Sequence, residues 1–155
     1  MSHEEEIVEL KEQIARFEKI IMTMSTPIIP SIVPKTILIP IVGYMYKERF
    51  DNIETQTLAY IGEHKEVENV IFDFTGVSLE HIQTFDYNDL ALSINRLNSS
   101  LRLMGIRPIY VGFNPSFIKE IVYASLHVEI ETYKDFRAAL NHLLGENNTA
   151  LHSIK

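Results

Sequence analysis

The sequence contains no cysteine, which excludes disulfides and thiolate-bound metal and fits a reducing cytoplasm. Basic residues are few: 14 Lys and Arg stand against 21 Asp and Glu, for a formal net charge of −7. No basic stripe is present to bind nucleic acid, and an acidic chain disfavours an anionic membrane surface. No apolar run approaches the roughly 20 residues of a membrane span. The richest stretch, 28–42, is interrupted by Pro30, Pro34, Lys35 and Pro40. Glu4, Glu5 and Glu6 give the first residues the wrong charge for a signal peptide. Walker A, G-x-G-x-x-G and G-x-S-x-G patterns are all missing, as are internal repeats and low-complexity linkers.

What remains is 155 residues with 46% hydrophobic and 23% charged side chains, the balance of one globular domain with a short extension. The extension comes first. Over residues 2–24, Ile7, Leu10, Ile14, Phe17, Ile21 and Met24 alternate spacings of three and four, an a/d heptad pattern. Two readings are open for residues 1–24: a dimerising helix through Ile7, Leu10, Ile14, Phe17 and Ile21, or an amphipathic helix packed on its own domain.

Pro27 ends that helix, because it disfavours helical backbone at Thr26. Ile28 to Val33 and Thr36 to Val42 read as strands separated by a Pro34-Lys35 turn. A helix follows over 47–63, with Phe50, Ile53, Thr57, Leu58 and Ile61 on one face. Asn69 to Phe74 is a short buried strand, and Thr75-Gly76-Val77 reads as a loop. The next helix spans about 86–104, with Asp86 and Asp89 as an N-cap pair and Leu90, Ile94, Leu97 and Leu101 inward. Arg107 to Val111 is a strand. Asn114-Pro115 starts a helix with Ile118, Ile121 and Val122 inward. Val128 to Glu131 is the last strand. Thr132, supported by Asp135, caps a final helix filled by Phe136, Leu140 and Leu143. A polar tail is expected over 145–155. Strands alternating with helices imply an α/β domain over 25–144, with a mostly parallel sheet flanked by helices.

Several segments, in order, resemble the STAS domain (sulfate transporter and anti-sigma-factor antagonist), and more narrowly the RsbR-type stressosome co-antagonists. They are Ser25-Thr26-Pro27-Ile28-Ile29-Pro30, Leu38-Ile39-Pro40-Ile41-Val42-Gly43, Glu48-Arg49, and the signature Asp73-Phe74-Thr75-Gly76-Val77. Arg102-Leu103-Met104-Gly105 and Gly112-Phe113-Asn114-Pro115 follow. The resemblance implies the STAS fold with an N-terminal antiparallel strand. It also implies a non-enzymatic regulator that assembles with other STAS-domain proteins and a serine/threonine switch kinase, as a homodimer or larger assembly without a cofactor.

The resemblance also names candidate residues. The family phosphorylates a Thr that follows an Asp shortly after T-G-V. Thr84 is the best match here, although Gln83 replaces the Asp, and Ser78 is a second candidate. Asp73, Thr75 and Gly76 would form the phosphosite loop. Glu120 occupies the family's second phosphosite position, where a carboxylate carries about one charge against a phosphate's roughly two. Thr84 alternatively serves as an ordinary loop or cap residue. Asp73 reads equally as a structural carboxylate, and His81 has no second His nearby with which to hold a metal. Tyr44, Met45 and Tyr46 form either a contact surface or part of the core rim. The rival function is a nucleotide or small-molecule binding module using the loop 75–84. An enzyme acting through Asp73, Asp86 or His81 has no motif behind it.

Overall fold

The computed structural model describes residues 2–77, 87–124 and 130–153. Helix α1 (His3–Met24) is followed by β1 (Ile29–Pro30), β2 (Thr36–Gly43), α2 (Lys47–Glu63), β3 (Asn69–Val77), α3 (Tyr87–Leu103), β4 (Arg107–Val111), α4 (Pro115–Ala124), β5 (Glu131–Tyr133) and α5 (Phe136–Ser153). The five strands lie in sequence order, β1-β2-β3-β4-β5. β1 is antiparallel to β2, and every later pairing is parallel.

Alternation in the strands sorts the core into two layers. Ile37, Ile39 and Ile41 of β2, with Val70, Phe72 and Phe74 of β3 and Tyr110 of β4, face α2, α3 and α4. Phe50, Ile53 and Ile61 of α2 meet them, as do Leu90, Ile94, Leu97 and Leu101 of α3. On the opposite face, Ile71, Ile109 and Val111 pack under Ala139 and Leu143 of α5, with Val33 alongside. Each buried large apolar side chain contributes about 1.5–3 kcal/mol, so the parallel strands carry the stability of the fold.

The structure departs from the sequence reading at several points. β1 is two residues long, because Pro30 has no N–H to donate and the chain turns back through Lys35 at φ 61°. β3 runs through Thr75-Gly76-Val77, which read as a loop. Val42 pairs with Gly76 and Gly43 with Val77 after a register shift between Pro40 and Val42. A proline inside β2 supplies a reason for the shift, since its missing N–H breaks the ladder. In α4 Phe117 is buried, while Ile118 and Val122, expected inward, are exposed; the side chain of Ile121 lies outside the described residues. The cap of α5 is Asp135, whose Oδ1 accepts from the Ala138 N–H at 2.8 Å, while Thr132 lies in β5. The last strand is Glu131–Tyr133, shifted from the expected 128–131. Asp86, the expected cap of α3, lies outside the described residues. The segment after Gly145 continues α5 to Ser153. Its anchor is Glu146, which accepts from Arg107 of β4 at 2.8 and 3.1 Å.

Helix α1 stands apart. Ser2 caps it in a reciprocal capping box with Glu5, and none of its residues is buried. The reading that packs it on its own domain is therefore not what the structure has. Its C-terminal end is tied to α2: Asn52 Nδ2 donates to the Met22 carbonyl and to Ser25 Oγ, each at 2.9 Å.

Candidate functional site

The C-terminal edge of the sheet is where β2, β3 and β4 end and where α2 and α4 begin. Open α/β sheets place functional groups at this edge. Asp73, Thr75 and Gly76 all lie here, on the last residues of β3.

Asp73 Oδ1 accepts from the Thr75 N–H at 2.9 Å and from the Thr75 hydroxyl at 2.6 Å. One carboxylate oxygen thus fixes both the backbone and the side chain two residues on, which a charge-assisted bond does well. Gly112, just past β4, has φ 79° and lies against Thr75. A Cβ there would come within 2.5 Å of the Thr75 nitrogen. Gly76 is packed against Val42, whose side chain would meet a Cβ at 3.0 Å. The strand end is therefore clamped on both sides, by β2 and by the turn after β4. Asn114 closes that turn, its Oδ1 accepting from the Phe117 N–H at 2.8 Å as the N-cap of α4.

Beneath this edge runs a chain of rings. Phe74 and Phe113 lie 4.8 Å apart, and Phe113 meets Phe117 edge-on at 4.9 Å. Phe72 stacks on Tyr110 at 5.5 Å, and burial pushes the Tyr110 phenol well above its ordinary range. A cleft of about 90 Å³ opens between Val77, Leu90 and this aromatic floor, with Thr75 and Asn114 at its polar side. Ligand pockets measure roughly 300–1,000 Å³, so its described walls do not enclose a nucleotide.

The other candidates are dispersed. Thr84, Ser78, Asp86 and His81 lie outside the described residues. Glu120 falls within α4, its side chain outside them. Ile7, Leu10, Ile14, Phe17 and Ile21 all lie exposed on α1, the helix that begins far up the chain from the sheet edge. In the Tyr44-Met45-Tyr46 trio, Met45 is core, Tyr46 is half-buried and Tyr44 is exposed. Among the described residues no group of three His, Cys, Asp or Glu side chains is placed to hold a metal ion, and no helix is long and apolar enough to cross a membrane.

Two residues of the resemblance segments take on a specific role only in the structure. Gly112 clamps Thr75; the sequence offers a hint in Gly-Phe-Asn-Pro, a glycine just before a helix cap. Arg49, in the first turn of α2, is buried. One of its terminal nitrogens donates to the Tyr44 carbonyl, Nε has no partner among the described residues, and burial lowers its pKa. Nothing in a single Arg after Glu48 signals a buried charge.

No protein-family model and no curated protein sequence matches the chain. Solved structures do. A single-substitution variant of RsbS from Moorella thermoacetica superposes at TM-score 0.61 with 12% identity, over 79% of this chain and 97% of that one. The anti-sigma-factor antagonist SpoIIAA in its unphosphorylated form gives 0.55 and 14%, over 77% and 98%. The murine anion transporter Slc26a9 in its inward-facing state gives 0.56 and 11%, over 73% of this chain but 18% of that one. The same fold thus serves a regulator and a portion of a transporter, and the likeness speaks for architecture. From β1 to α5 the chain has the STAS fold.

Proposed function

We propose that this chain is a non-enzymatic regulatory STAS protein of the cytoplasm, a stressosome-type scaffold or anti-sigma-factor antagonist component. It binds other STAS-domain proteins and a serine/threonine switch kinase, and it associates with a second copy of itself through α1. The observation that carries this reading is the clamped end of β3. Asp73, Thr75 and Gly112 commit their polar groups and close contacts to holding one backbone geometry, from which the segment 78–86 departs. Thr84 is the phosphoacceptor in this reading, and Ser78 the second candidate. A phosphate near the start of α3 would gain from the helix dipole and its unpaired N–H groups.

The experiment is phosphorylation by the switch kinase of a STAS pathway, read by intact mass and peptide mapping. One phosphate, lost in Thr84→Ala, supports the switch. No phosphate, with the kinase active on a control STAS protein, removes Thr84 from the proposal. Pull-down against an RsbS-type partner then decides whether the scaffold reading stands. The nucleotide-binding alternative has its observation in the cleft beside Phe113. That cleft measures about 90 Å³, and most of the loop 75–84 that this alternative uses lies outside the described residues; a thermal shift with a nucleotide panel would favour it, and no shift with any nucleotide would remove it.

A further inference from the structure

We infer that the start of α2 is an oxyanion site, in which the Arg49 side chain and the first backbone N–H groups of the helix take one phosphoryl group. The site is built from residues 44–49 and does not depend on phosphorylation at Thr84.

This 17-residue helix starts without a cap. Gly43-Tyr44-Met45-Tyr46 brings no Ser, Thr, Asp or Asn to the N-cap position, and Tyr46, which occupies it, makes no side-chain cap bond. The first backbone bond of the helix runs from the Phe50 N–H to the Tyr46 carbonyl. Among the described residues, the N–H groups of Lys47, Glu48 and Arg49 therefore have no acceptor. The starts of α1, α4 and α5 do have one, from Ser2, Asn114 and Asp135. Unsatisfied N–H groups and the helix dipole together draw an anion. Glu48 of the same turn is exposed, with Lys47 beside it to offset its charge.

Arg49 supplies the second half of the site. It is 8% exposed, and its side chain leans back past the helix start, as helical side chains do. There Nη1 donates to the carbonyl of Tyr44, two residues ahead of the cap position. That bond leaves the opposite edge of the guanidinium, Nε and Nη2, uncommitted among the described residues. It is the edge that grips an oxyanion through two parallel N–H···O bonds. Arg107 uses it on Glu131 at 2.7 and 2.9 Å, and Arg96 uses it on Glu54 at 3.2 and 2.9 Å. Arg49 presents the same edge from a more buried position with no carboxylate on it among the described residues. A buried charge without a partner is costly, and an oxyanion here removes that cost. Nε is closed to water, so the anion meets Nη2 first and reaches Nε by a small outward shift of a side chain held by one bond. Charge and geometry choose the ligand. A phosphoryl group brings roughly two charges and three acceptor oxygens, enough for the guanidinium edge and the helix N–H groups together. A carboxylate has two oxygens, and the guanidinium edge alone uses both.

Amide NMR of the full chain, titrated with inorganic phosphate at constant ionic strength, reads the site directly. The amides of Lys47, Glu48 and Arg49 and the Arg49 Nε–H should shift together and saturate, while sodium chloride leaves them in place. Arg49→Lys keeps the charge and loses the fork, so it should weaken binding about tenfold or more; unchanged affinity in a folded variant overturns the role given to Arg49. If that variant does not fold, the parent chain still decides. No saturable shift at 47–49, equal shifts with chloride, or saturation confined to the starts of α4 and α5 overturns the site, and acetate binding as tightly as phosphate overturns the ligand class. O-phosphothreonine then separates the sources, both of which uphold the site: tighter binding than inorganic phosphate means that it receives a phosphorylated side chain, and weaker binding that it holds the free anion.

Discussion

Gly112 lies so close to Thr75 that a Cβ on the glycine would stand 2.5 Å from the Thr75 nitrogen and 2.8 Å from its Cα. Both of those atoms are backbone, so no side-chain rotation relieves the contact. Gly105 has almost the same φ, 78°, but open space around its missing Cβ. The pair separates two costs. Gly105→Ala should lose only the left-handed backbone term, about 1–2 kcal/mol. Gly112→Ala adds displacement of the β3 end and should lose about 3 kcal/mol or more. Urea unfolding of the two variants measures the difference, and equal losses would mean that β3 and the turn after β4 are not clamped together.

Asp73 is the next element of that clamp. Its Oδ1 holds both the N–H and the hydroxyl of Thr75. Asp73→Ala removes two charge-assisted bonds at a half-buried position and should cost about 1–2 kcal/mol. Thr75→Val keeps the backbone bond and loses one, so it should cost less. Thermal unfolding ranks them, and hydrogen exchange at Gly76 and Val77 should rise in both. A larger loss for Thr75→Val would assign the anchoring role to the hydroxyl.

Much of this architecture was legible in the sequence, for physical reasons that can be named. Residues 36–42 alternate apolar side chains toward two layers, and residues 47–63 repeat Phe50, Ile53, Thr57 and Ile61 at helical spacing. Those patterns depend on burial, which composition records directly. The sheet edge was less legible. Thr75-Gly76-Val77 has the residues of a turn, yet pairing with Val42 and Gly43 holds it in β3, a long-range effect that local propensity does not contain. The same holds for α4. Phe117, not Ile118 or Val122, meets the aromatic floor, because the entry angle set by Asn114 and Gly112 decides which side of a short helix turns inward. The segment 145–153 reads as a tail because it is polar; the tie between Glu146 and Arg107 spans 39 positions and leaves no local trace.

That tie gives a pH dependence. Arg107 hydrogen bonds hold the Glu146 carboxyl below the usual carboxylate range. A depressed carboxylate contributes stability above its unfolded-state pKa and loses it as pH falls through the folded one. The pair is partly solvent-exposed, so screening leaves about 0.5–1 kcal/mol. Glu146→Gln should therefore melt slightly below the parent protein at neutral pH, and the gap should close by about pH 3. Calorimetry across that range checks it. A gap that persists in acid would mean that the side chain acts through packing and not through charge.

Asn52 carries the last prediction, because it joins two parts of the molecule with little else in common. Its amide nitrogen donates to the Met22 carbonyl and Ser25 Oγ at 2.9 Å, and reaches Thr26 Oγ1 at 3.4 Å. α1 buries no residue of its own, so these bonds fix the angle at which the rod leaves the domain without supporting the core. Asn52→Ala should lower global stability by no more than about 1 kcal/mol, the net worth of a typical hydrogen bond. It should nevertheless speed hydrogen exchange at residues 22–26 several-fold while residues 70–74 of β3 stay protected. If instead exchange rises uniformly across β3 and the unfolding free energy drops well beyond that, the joint is part of the folding core. Removal of residues 1–21 supplies the complement: loss of most of α1 should leave the melting temperature of the domain nearly unchanged, since no buried apolar contact goes with it.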